Sequence, residues 1–237
     1  MRRNRLALTE LLEYRLSTPY RCPYLPAETA RMGFFLPLDT TTYTRLVAQG
    51  FRRSGCLIYR PECPTCHACT PVRIEVAKFC PNRSQRRCLR RNQDLEIIAR
   101  PPQFRAEHFE LYLRYIKARH GQSGTVDTTE EEYLNFLTCH WCTTGFYEFL
   151  LEGKLVMVAV VDFLDDSLSA VYTFYDPDQA KRGLGTYAVL WQIETARQMG
   201  LNWLYLGYWI ASCRKMAYKI RFQPQQWYLG AWRPASV

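Results

Sequence analysis

The sequence predicts an α+β fold, and three observations support that prediction. Three apolar runs of strand length follow one another between residues 146 and 175, separated only by short polar turns. Apolar residues at helical spacing precede these runs and recur after them. The chain has 237 residues, 48% of them hydrophobic and 22% charged, so it has the composition of a globular protein with ample core material.

The first hundred residues are rich in cysteine and arginine. Phe51 to Arg60 is predicted as one strand with a bulge at Gly55, and Val72 to Val76 alternates apolar and charged residues like a half-buried strand. Ser84 to Gln93 lacks glycine and proline and is predicted as a helix. Two prolines interrupt regular structure at Pro101-Pro102. We therefore expect a Cys/Arg-rich α+β region over residues 1–100 and a second domain over residues 103–237.

The second part opens with two predicted helices. The first has apolar residues at helical spacing from Phe109 to Ile116, and the second begins at a capping box formed by Thr129 and Glu132. Antiparallel strands are predicted next, because turns of two or three residues join the apolar runs Phe146–Leu151, Leu155–Phe163 and Leu168–Tyr175. A helix from Leu184 to Met199 and a strand from Trp203 to Tyr208 complete the domain. This element order looks like the acetyltransferase-type (GNAT) fold.

Charge and hydropathy narrow the class of protein. The formal net charge of +9 favours polyanionic partners such as nucleic acid. The longest apolar run, Leu155 to Val161, is far too short to cross a bilayer, and no signal-type stretch follows the basic N-terminus. We therefore expect a cytoplasmic protein whose ten cysteines are reduced.

Arginines are concentrated between residues 83 and 91. On a helix, residues at i, i+3, i+4, i+7 and i+8 share one face, where parallel guanidinium groups repel one another unless a polyanion neutralises them. A solvated surface face is the alternative, but only Asp94 and Glu96 are nearby acidic residues. The segment therefore predicts a phosphate-binding face, formed by Arg83, Ser84, Arg86, Arg87, Arg90 and Arg91.

Three cysteines and a histidine lie between Cys63 and Cys69. The CxxCxxC spacing permits several metal ligands on one loop, and Cys22 is a further candidate. Reduced cysteines that pack as small hydrophobic residues are the alternative. A structural metal on Cys22, Cys63, Cys66 and Cys69 therefore stays open at this point.

Two further segments resemble binding loops. Residues 179–185 are close to the loop with which acetyltransferases bind the coenzyme A pyrophosphate, but Ala180 replaces the usual Gln or Arg. Residues 205–222 interleave aromatic side chains with cations, a combination that can stack on a base and hold a phosphate or carboxylate. A core strand followed by a basic surface helix is the alternative for this second segment.

Taken together, these segments resemble the bacterial aspartate/glutamate leucyltransferases, a branch of the arginyl/leucyl-tRNA–protein transferase family. The matching blocks occur in the family's order along nearly the whole chain. They include Cys22–Pro26, Gly50–Gly55, Tyr59–Pro61, Cys63–Cys69, Arg83–Arg87, Arg91–Leu95, Leu168–Pro177, Leu184–Thr186, Tyr205–Ile210 and Lys215–Lys219.

The resemblance implies a GNAT-like catalytic domain that accepts aminoacyl-tRNA in place of acetyl-coenzyme A. Leucyl-tRNA would be the donor, proteins beginning with Asp or Glu the acceptors, and N-end rule degradation the outcome. Eukaryotic relatives add arginine and carry a cysteine pattern linked to iron–sulfur or haem binding. This chain departs from that pattern, with Leu25 three positions after Cys22 and no adjacent cysteine pair. We therefore expect that no cofactor is required.

The chemistry of such a transfer is modest, because the aminoacyl ester is already activated and an α-amino group with a pKa of about 8 is partly neutral at pH 7. Positioning supplies much of the acceleration, and a nearby group moves the proton. Candidates for this proton transfer are Asp162, Tyr172, Asp176 and Tyr208. Candidates for binding the acidic side chain of the acceptor are Arg73, Lys215, Lys219 and Arg221.

Three alternatives remain from the sequence. An arginyl donor would need a carboxylate in the side-chain pocket, and several aspartates lie at predicted strand ends. An acyl-CoA-dependent N-acetyltransferase is disfavoured by Ala180 and by the arginine-rich helix. A non-catalytic zinc-dependent nucleic-acid-binding module is disfavoured by the size of the second domain.

Overall fold

The computed structural model describes residues 13–36, 39–120 and 128–236. Its strands are β1 (Tyr14–Leu16), β2 (Tyr20–Arg21), β3 (Thr29–Ala30), β4 (Met32–Phe35), β5 (Arg52–Ser54), β6 (Leu57–Pro61), β7 (Thr70–Glu75), β8 (Glu96–Arg100), β9 (Thr144–Leu151), β10 (Lys154–Phe163), β11 (Ser167–Tyr175), β12 (Trp203–Trp209), β13 (Gln225–Tyr228) and β14 (Trp232–Pro234). Its helices are α1 (Thr40–Val47), α2 (Arg83–Arg91), α3 (Ala106–His120), α4 (Glu130–Leu137) and α5 (Leu184–Gln198). Short 3-10 helices cover Val76–Lys78, Pro177–Arg182 and Arg214–Arg221.

An eight-stranded sheet is the centre of the molecule, with the strand order β14-β13-β7-β12-β11-β10-β9-β8. Strands β9, β10 and β11 form the predicted antiparallel meander, and β12 runs parallel to β11. The expected α+β class and GNAT-like element order are confirmed. The sheet takes β7 and β8 from before Pro101 and its other strands from after it, so the two predicted parts share one sheet. Their division into two domains stays a prediction.

Both faces of this sheet are covered by helices. Along β10, Met157 and Ala159 pack in the core beneath α5, whereas Val158 and Val160 pack in the core beneath α3 and α4. This two-residue alternation is what a strand buried on both faces requires. The predicted capping box of Thr129 and Glu132 begins α4.

A four-stranded sheet with the order β1-β4-β6-β5 lies beside the large sheet. The prediction of one bulged strand over residues 51–60 is wrong, because β5 and β6 form a hairpin that turns at Gly55. Gly55 has a φ of 56°, and its N–H donates to the Phe136 carbonyl at 2.9 Å. The tight turn aligns Arg52 and Arg53 on β5 against the large sheet. Among the described residues no helix has both the length and the apolar character that a bilayer crossing needs.

Candidate active site

The parallel strands β11 and β12 separate at one end and leave a cleft. Their pairing covers Ser167 to Ser169 on β11 and Trp203 to Tyr205 on β12, and then stops. Beyond that point β11 remains paired with β10 and β12 with β7. The two carboxyl-terminal halves therefore form a fork, at the edge of the sheet where ligands bind in many open α/β sheets.

The guanidinium of Arg52 lies in this fork. Its Nη1 donates to Ser169 Oγ at 2.9 Å and to the Tyr205 carbonyl at 3.4 Å, and its Nη2 donates to the Ala170 carbonyl. Gly207 makes room for it, because a Cβ at Gly207 would lie 3.1 Å from Arg52 Nε. Arg52 is 8% exposed, and all of these partners are neutral oxygens. A buried positive charge therefore marks the start of the cleft.

Lys219 is a second buried cation beside Arg52. It belongs to the 3-10 helix Arg214–Arg221, is 8% exposed, and its Nζ donates to the Tyr208 carbonyl at 2.5 Å. Burial and then the charge of Arg52 lower the pKa of Lys219 to about 7. Across residues 13–36, 39–120 and 128–236, neither Arg52 nor Lys219 forms an ion pair. Two buried cations without acidic partners leave positive charge that an anionic ligand would compensate.

Phenols surround these cations. Partial burial and the neighbouring Tyr59 raise the pKa of Tyr24 to about 12. Burial raises the pKa of Tyr172 on β11, and the nearby Tyr24 adds to that rise. Tyr218 lies near Arg119, Arg52 and Tyr175, and partial burial raises its pKa. Tyr24 and Tyr218 are both exposed, Tyr24 near Tyr172 and Tyr218 near Arg52, and we call these two phenols the aromatic mouth of the cleft.

Arg53, next to Arg52 in the chain, forms a buried ion pair with Asp162. Its Nε and Nη2 each lie 2.7 Å from an oxygen of Asp162, and both side chains are 0% exposed. Asp162 also accepts from Thr144 at 2.7 Å and from Tyr43 at 3.1 Å. Both carboxylate oxygens are thus occupied and shielded. The geometry argues against Asp162 as the proton carrier and makes it part of the framework below the cleft.

The other three proton-transfer candidates differ in the hydrogen bonds and ion pairs that their side chains form. Tyr208 donates to the carbonyls of Gly50 and Tyr59 at 3.0 and 3.2 Å, and burial raises its pKa well above 10. Asp176 caps the 3-10 helix Pro177–Arg182 and forms an ion pair with Arg114 at 2.6 Å. Tyr172 is half-buried on β11 near Tyr24, and burial raises its pKa. Of the four candidates, Tyr172 is the one on β11 whose side chain forms neither an ion pair nor a hydrogen bond with the described residues.

The four predicted acceptor-binding cations do not converge. Only Lys219 lies in the cleft. Arg73 is stacked between Trp203 and Trp232, with its Cζ 3.5 and 4.3 Å from the ring centroids, and it donates to Gln226 Oε1. These contacts give Arg73 a packing role. Lys215 and Arg221 are exposed, and the Arg221 carbonyl accepts from Gln85 of α2 at 2.9 Å.

The arginine-rich helix α2 presents the predicted face to solvent. Arg83, Ser84, Arg86, Arg87, Arg90 and Arg91 are all exposed, whereas Gln85 and Cys88 on the other face are buried. The fully buried Asn92 after the helix donates to the Arg182 carbonyl at 3.0 Å. Arg182 belongs to the segment that joins the cleft end of β11 to α5. The basic face is therefore fixed beside the cleft.

The four predicted thiols lie near one another at the rim of the cleft. Burial, together with the neighbouring Cys63, Cys22 and Cys66, raises the pKa of Cys69 to about 12. Cys69 also packs beside Cys213, close to Lys219. In the described part of the chain, no group of three or more His, Cys, Asp or Glu side chains is arranged to hold a metal ion.

Sequence reasoning missed Arg52, Tyr24 and Tyr218 as site residues. A signal for Arg52 was present, because Arg52 and Arg53 are consecutive charged residues inside the strand predicted over residues 51–60. Consecutive charged residues in such a strand need partners on both of its faces. Arg53 finds an acidic partner and Arg52 does not.

Comparison with known proteins gives consistent family matches. The family model for the arginine-tRNA-protein transferase N terminus matches residues 20–87, and that for the C terminus matches residues 107–229. An aspartate/glutamate leucyltransferase of Nitrosococcus oceani is 51% identical over 221 residues, covering 91% of this chain and 92% of the relative. One from Pseudomonas putida is 47% identical over 222 residues, covering 92% and 94%.

Among solved structures, FemX is similar with a TM-score of 0.50 and 8% sequence identity, over 89% of this chain and 84% of that chain. This likeness concerns the fold alone. The two family models together cover residues 20–87 and 107–229, which include the fork, the first half of α2 and the 3-10 helix that carries Lys219. The two relatives cover 91% and 92% of the chain. The chain therefore belongs to the arginine-tRNA-protein transferase family, in the group of the aspartate/glutamate leucyltransferases.

Proposed function

We propose that this protein is an aminoacyltransferase that moves leucine from leucyl-tRNA to the N-terminal Asp or Glu of acceptor proteins. Relatives at 51% and 47% identity are named aspartate/glutamate leucyltransferases, which supports the reaction and both substrates. An added leucine would mark the acceptor for degradation by the N-end rule pathway. Because aminoacyl-tRNA is a cytoplasmic metabolite, the cytoplasm is the proposed site of action.

The observation that carries the acceptor side of this proposal is the pair of buried cations, Arg52 and Lys219. Neither has an acidic partner among the described residues, and both lie at the fork between β11 and β12. Leaving a buried charge unpaired costs several kcal/mol, roughly 3–5 when a partner is removed from a buried pair. A carboxylate from the acceptor side chain would compensate the charge. Arg52 therefore joins Lys219 as a proposed acceptor-binding residue.

The proposed binding of the leucyl-tRNA donor depends on α2 and on the contacts that hold α2 near the cleft. The exposed arginines form one face, and Asn92 and Arg182 hold that face beside the carboxyl end of β11. Guanidinium groups match phosphate oxygens well, so this face suits the acceptor stem of a tRNA. The aromatic mouth at Tyr24 and Tyr218 suits the terminal base, since base–aromatic stacking is worth about 1–3 kcal/mol. The tRNA would thus cross α2 and place its aminoacyl end in the cleft.

In the proposed reaction, the neutral α-amine of the acceptor attacks the ester carbonyl of leucyl-tRNA. A carbon–nitrogen bond forms, the bond to the ribose oxygen breaks, and one proton passes from the amine to that oxygen. Tyr172 is the best-placed candidate to deliver this proton, because it lies on β11 in the cleft, forms no ion pair with the described residues, and carries a phenol that is protonated at neutral pH. The cleft also holds the amine and the ester close together, and this positioning supplies the remaining rate acceleration.

The thiol cluster of Cys22, Cys63, Cys66 and Cys69 is proposed to be structural. The ester is reactive enough without a nucleophilic thiol, and burial raises the pKa of Cys69 to about 12, which disfavours a thiolate there. No cofactor is needed for the reaction as written. Metal analysis of anaerobically purified protein distinguishes a bound metal or iron–sulfur cluster from thiols that only pack. Cys→Ser variants that abolished turnover while stability and tRNA affinity stayed normal would contradict the structural role.

The decisive experiment offers the pure protein labelled Leu-tRNA or Arg-tRNA together with peptides that begin with Asp, Glu, Lys or Ala. Transfer of leucine to the Asp and Glu peptides is expected. Preference for Arg-tRNA would overturn the donor, and efficient transfer to the Lys peptide would overturn the acceptor. Label transferred from acetyl-coenzyme A instead would establish the N-acetyltransferase alternative.

Variants then test the residue roles. Arg52→Gln and Lys219→Met should raise the KM for the Asp peptide at least tenfold while tRNA affinity stays unchanged. Lys154→Met is the control, since Lys154 is an exposed cation at the start of β10. Unchanged KM values in both cleft variants would remove the proposed acceptor site.

A further inference from the structure

Arg119, near the carboxyl-terminal end of α3, lies beside the phenols of the cleft. Helix α3 packs on β11 through Tyr115, whose ring meets those of Tyr175 and Tyr172 edge-on, with centroids 4.9 and 6.4 Å apart. Arg119 follows Tyr115 by one helical turn, so the two side chains share one face of the helix. Its Cζ lies 5.9 Å from the centroid of the Tyr115 ring. Helical spacing therefore carries the Arg119 guanidinium to the β11 side of the cleft.

The same guanidinium also contacts the β12 side of the fork. Its Nη2 donates to the carbonyl of Lys215 at 3.3 Å. Lys215 belongs to the 3-10 helix Arg214–Arg221, and this helix is bonded to β12 because Lys219 Nζ donates to the Tyr208 carbonyl. Arg119 thus connects an element packed on β11 with an element bonded to β12, across the end at which the two strands separate.

The charge of Arg119 has no acidic partner among the described residues. The side chain is exposed and its hydrogen bond within that part of the chain goes to a neutral carbonyl, so most of its N–H donors stay available. Arg114, earlier on the same helix, differs because it forms ion pairs with Asp176 at 2.6 Å and Asp178 at 3.0 Å. Burial raises the pKa of Tyr218, and the positive charge of Arg119 opposes that rise. Arg119 therefore adds an uncompensated cation close to the aromatic mouth.

A phosphate is the anion that suits this position, if the proposed function holds. In the proposed reaction, Tyr172 protonates the ribose oxygen that leaves the ester, and Tyr172 and Arg119 both contact the Tyr115 ring. The phosphate between the terminal adenosine and the preceding nucleotide is attached to that same ribose. It is therefore the backbone phosphate nearest to the reacting ester, and guanidinium groups bind phosphate oxygens through paired hydrogen bonds.

We propose that Arg119 binds the last backbone phosphate of the leucyl-tRNA and thereby positions the aminoacyl ester in the cleft. Helix α2 would hold the acceptor stem, and Arg119 would fix the 3′ end. The role is one of binding and positioning, since no bond forms or breaks at Arg119. An arginine that only ties α3 to the 3-10 helix is the competing explanation. That explanation predicts lower stability on substitution and no dependence on the charge of the phosphate.

A double-mutant cycle between Arg119 and this phosphate tests the proposal by binding alone. The full-length protein and Arg119→Gln are titrated with a leucine tRNA and with the same tRNA carrying an uncharged methylphosphonate at its last linkage. Either change alone should weaken binding about tenfold, as expected for a hydrogen bond to a charged group. The two changes together should weaken it no further. Lys117→Gln, the matched control, removes another exposed cation of α3 and should behave like the wild type with both tRNAs.

Three results would overturn the role of Arg119. They are an unchanged tRNA affinity in Arg119→Gln, a full further loss with the methylphosphonate tRNA, and a raised KM for the Asp peptide in place of weaker tRNA binding. If Arg119→Gln melts at a lower temperature, Arg119→Lys takes its place in the cycle, because it keeps the charge and should keep part of the coupling. A wild type that transfers no leucine would contradict the proposed function, whereas missing coupling in an active enzyme would contradict the role of Arg119 alone.

Discussion

The ion pair of Arg53 and Asp162 allows the sharpest test of how this fold supports its cleft. Asp162→Asn keeps the shape of the side chain and removes its charge. Arg53 would then be left buried with a neutral partner, although Thr144 and Tyr43 would still be within reach of the new amide. The predicted consequence is a large loss of stability, separate from any effect on chemistry.

The magnitude follows from burial. Both side chains are 0% exposed and two 2.7 Å contacts join them, so removing one charge should cost about 3–5 kcal/mol. That is a large fraction of the roughly 5–15 kcal/mol by which a domain is stable. With a urea m-value of about 3 kcal/mol/M, the unfolding midpoint should fall by about 1–2 M.

Urea unfolding of the wild type and two variants measures the effect. Asp94→Asn is the matched control, because Asp94 forms a similar two-contact pair with Arg182 at 2.8 Å but is 51% exposed. Its loss should cost less than about 1 kcal/mol. The double variant Arg53→Met/Asp162→Leu should recover part of the stability, since two apolar groups leave no unpaired charge.

If Asp162→Asn unfolded within about 1 kcal/mol of the wild type, the pair would not be the buried unit described here. If that stable variant also lost leucine transfer while keeping its affinity for tRNA and peptide, Asp162 would take part in proton transfer after all.

Three further predictions concern the cleft and the basic face. Lys219→Met should raise the melting temperature, most strongly below pH 7. The pKa of Lys219 is about 7 in the folded protein against 10.5 in the unfolded chain, so the cost of burying its charge fades as the pH rises between those values. An equal gain in stability at pH 10 would contradict this. Arg86→Glu/Arg87→Glu should weaken tRNA binding and lower the slope of log affinity against log salt concentration by about one per lost phosphate contact, while the melting temperature stays unchanged. An unaltered tRNA affinity would contradict the proposed role of α2. Gly207→Ala should lower the free energy of unfolding and the leucine-transfer activity more than Gly153→Ala does, because both glycines have a positive φ but only Gly207 contacts Arg52. Equal losses in the two variants would show that backbone strain alone is responsible.

Local sequence determined much of the secondary structure and one surface. The meander β9–β11, helix α5 and the capping box of α4 depend on neighbouring residues, so apolar periodicity and turn residues were enough to predict them. The exposed arginine face of α2 was predictable for the same reason, because helical spacing alone puts those residues on one side. The family resemblance pointed to the reaction. The need of an acidic acceptor for a cation gave Arg73, Lys215, Lys219 and Arg221 as equal candidates.

Only the tertiary structure decided which of the candidate residues meet. Whether β11 and β12 stay paired depends on β7, which inserts beside β12 from more than a hundred residues earlier in the chain. Whether Asp162 is free depends on Arg53, 109 residues away, and whether Arg52 is compensated depends on which oxygens surround the fork. Charge, burial and proximity are properties of such long-range contacts, and periodicity in a sequence reports only on near neighbours. The same residue types can therefore be framework or site, and folding alone separates them.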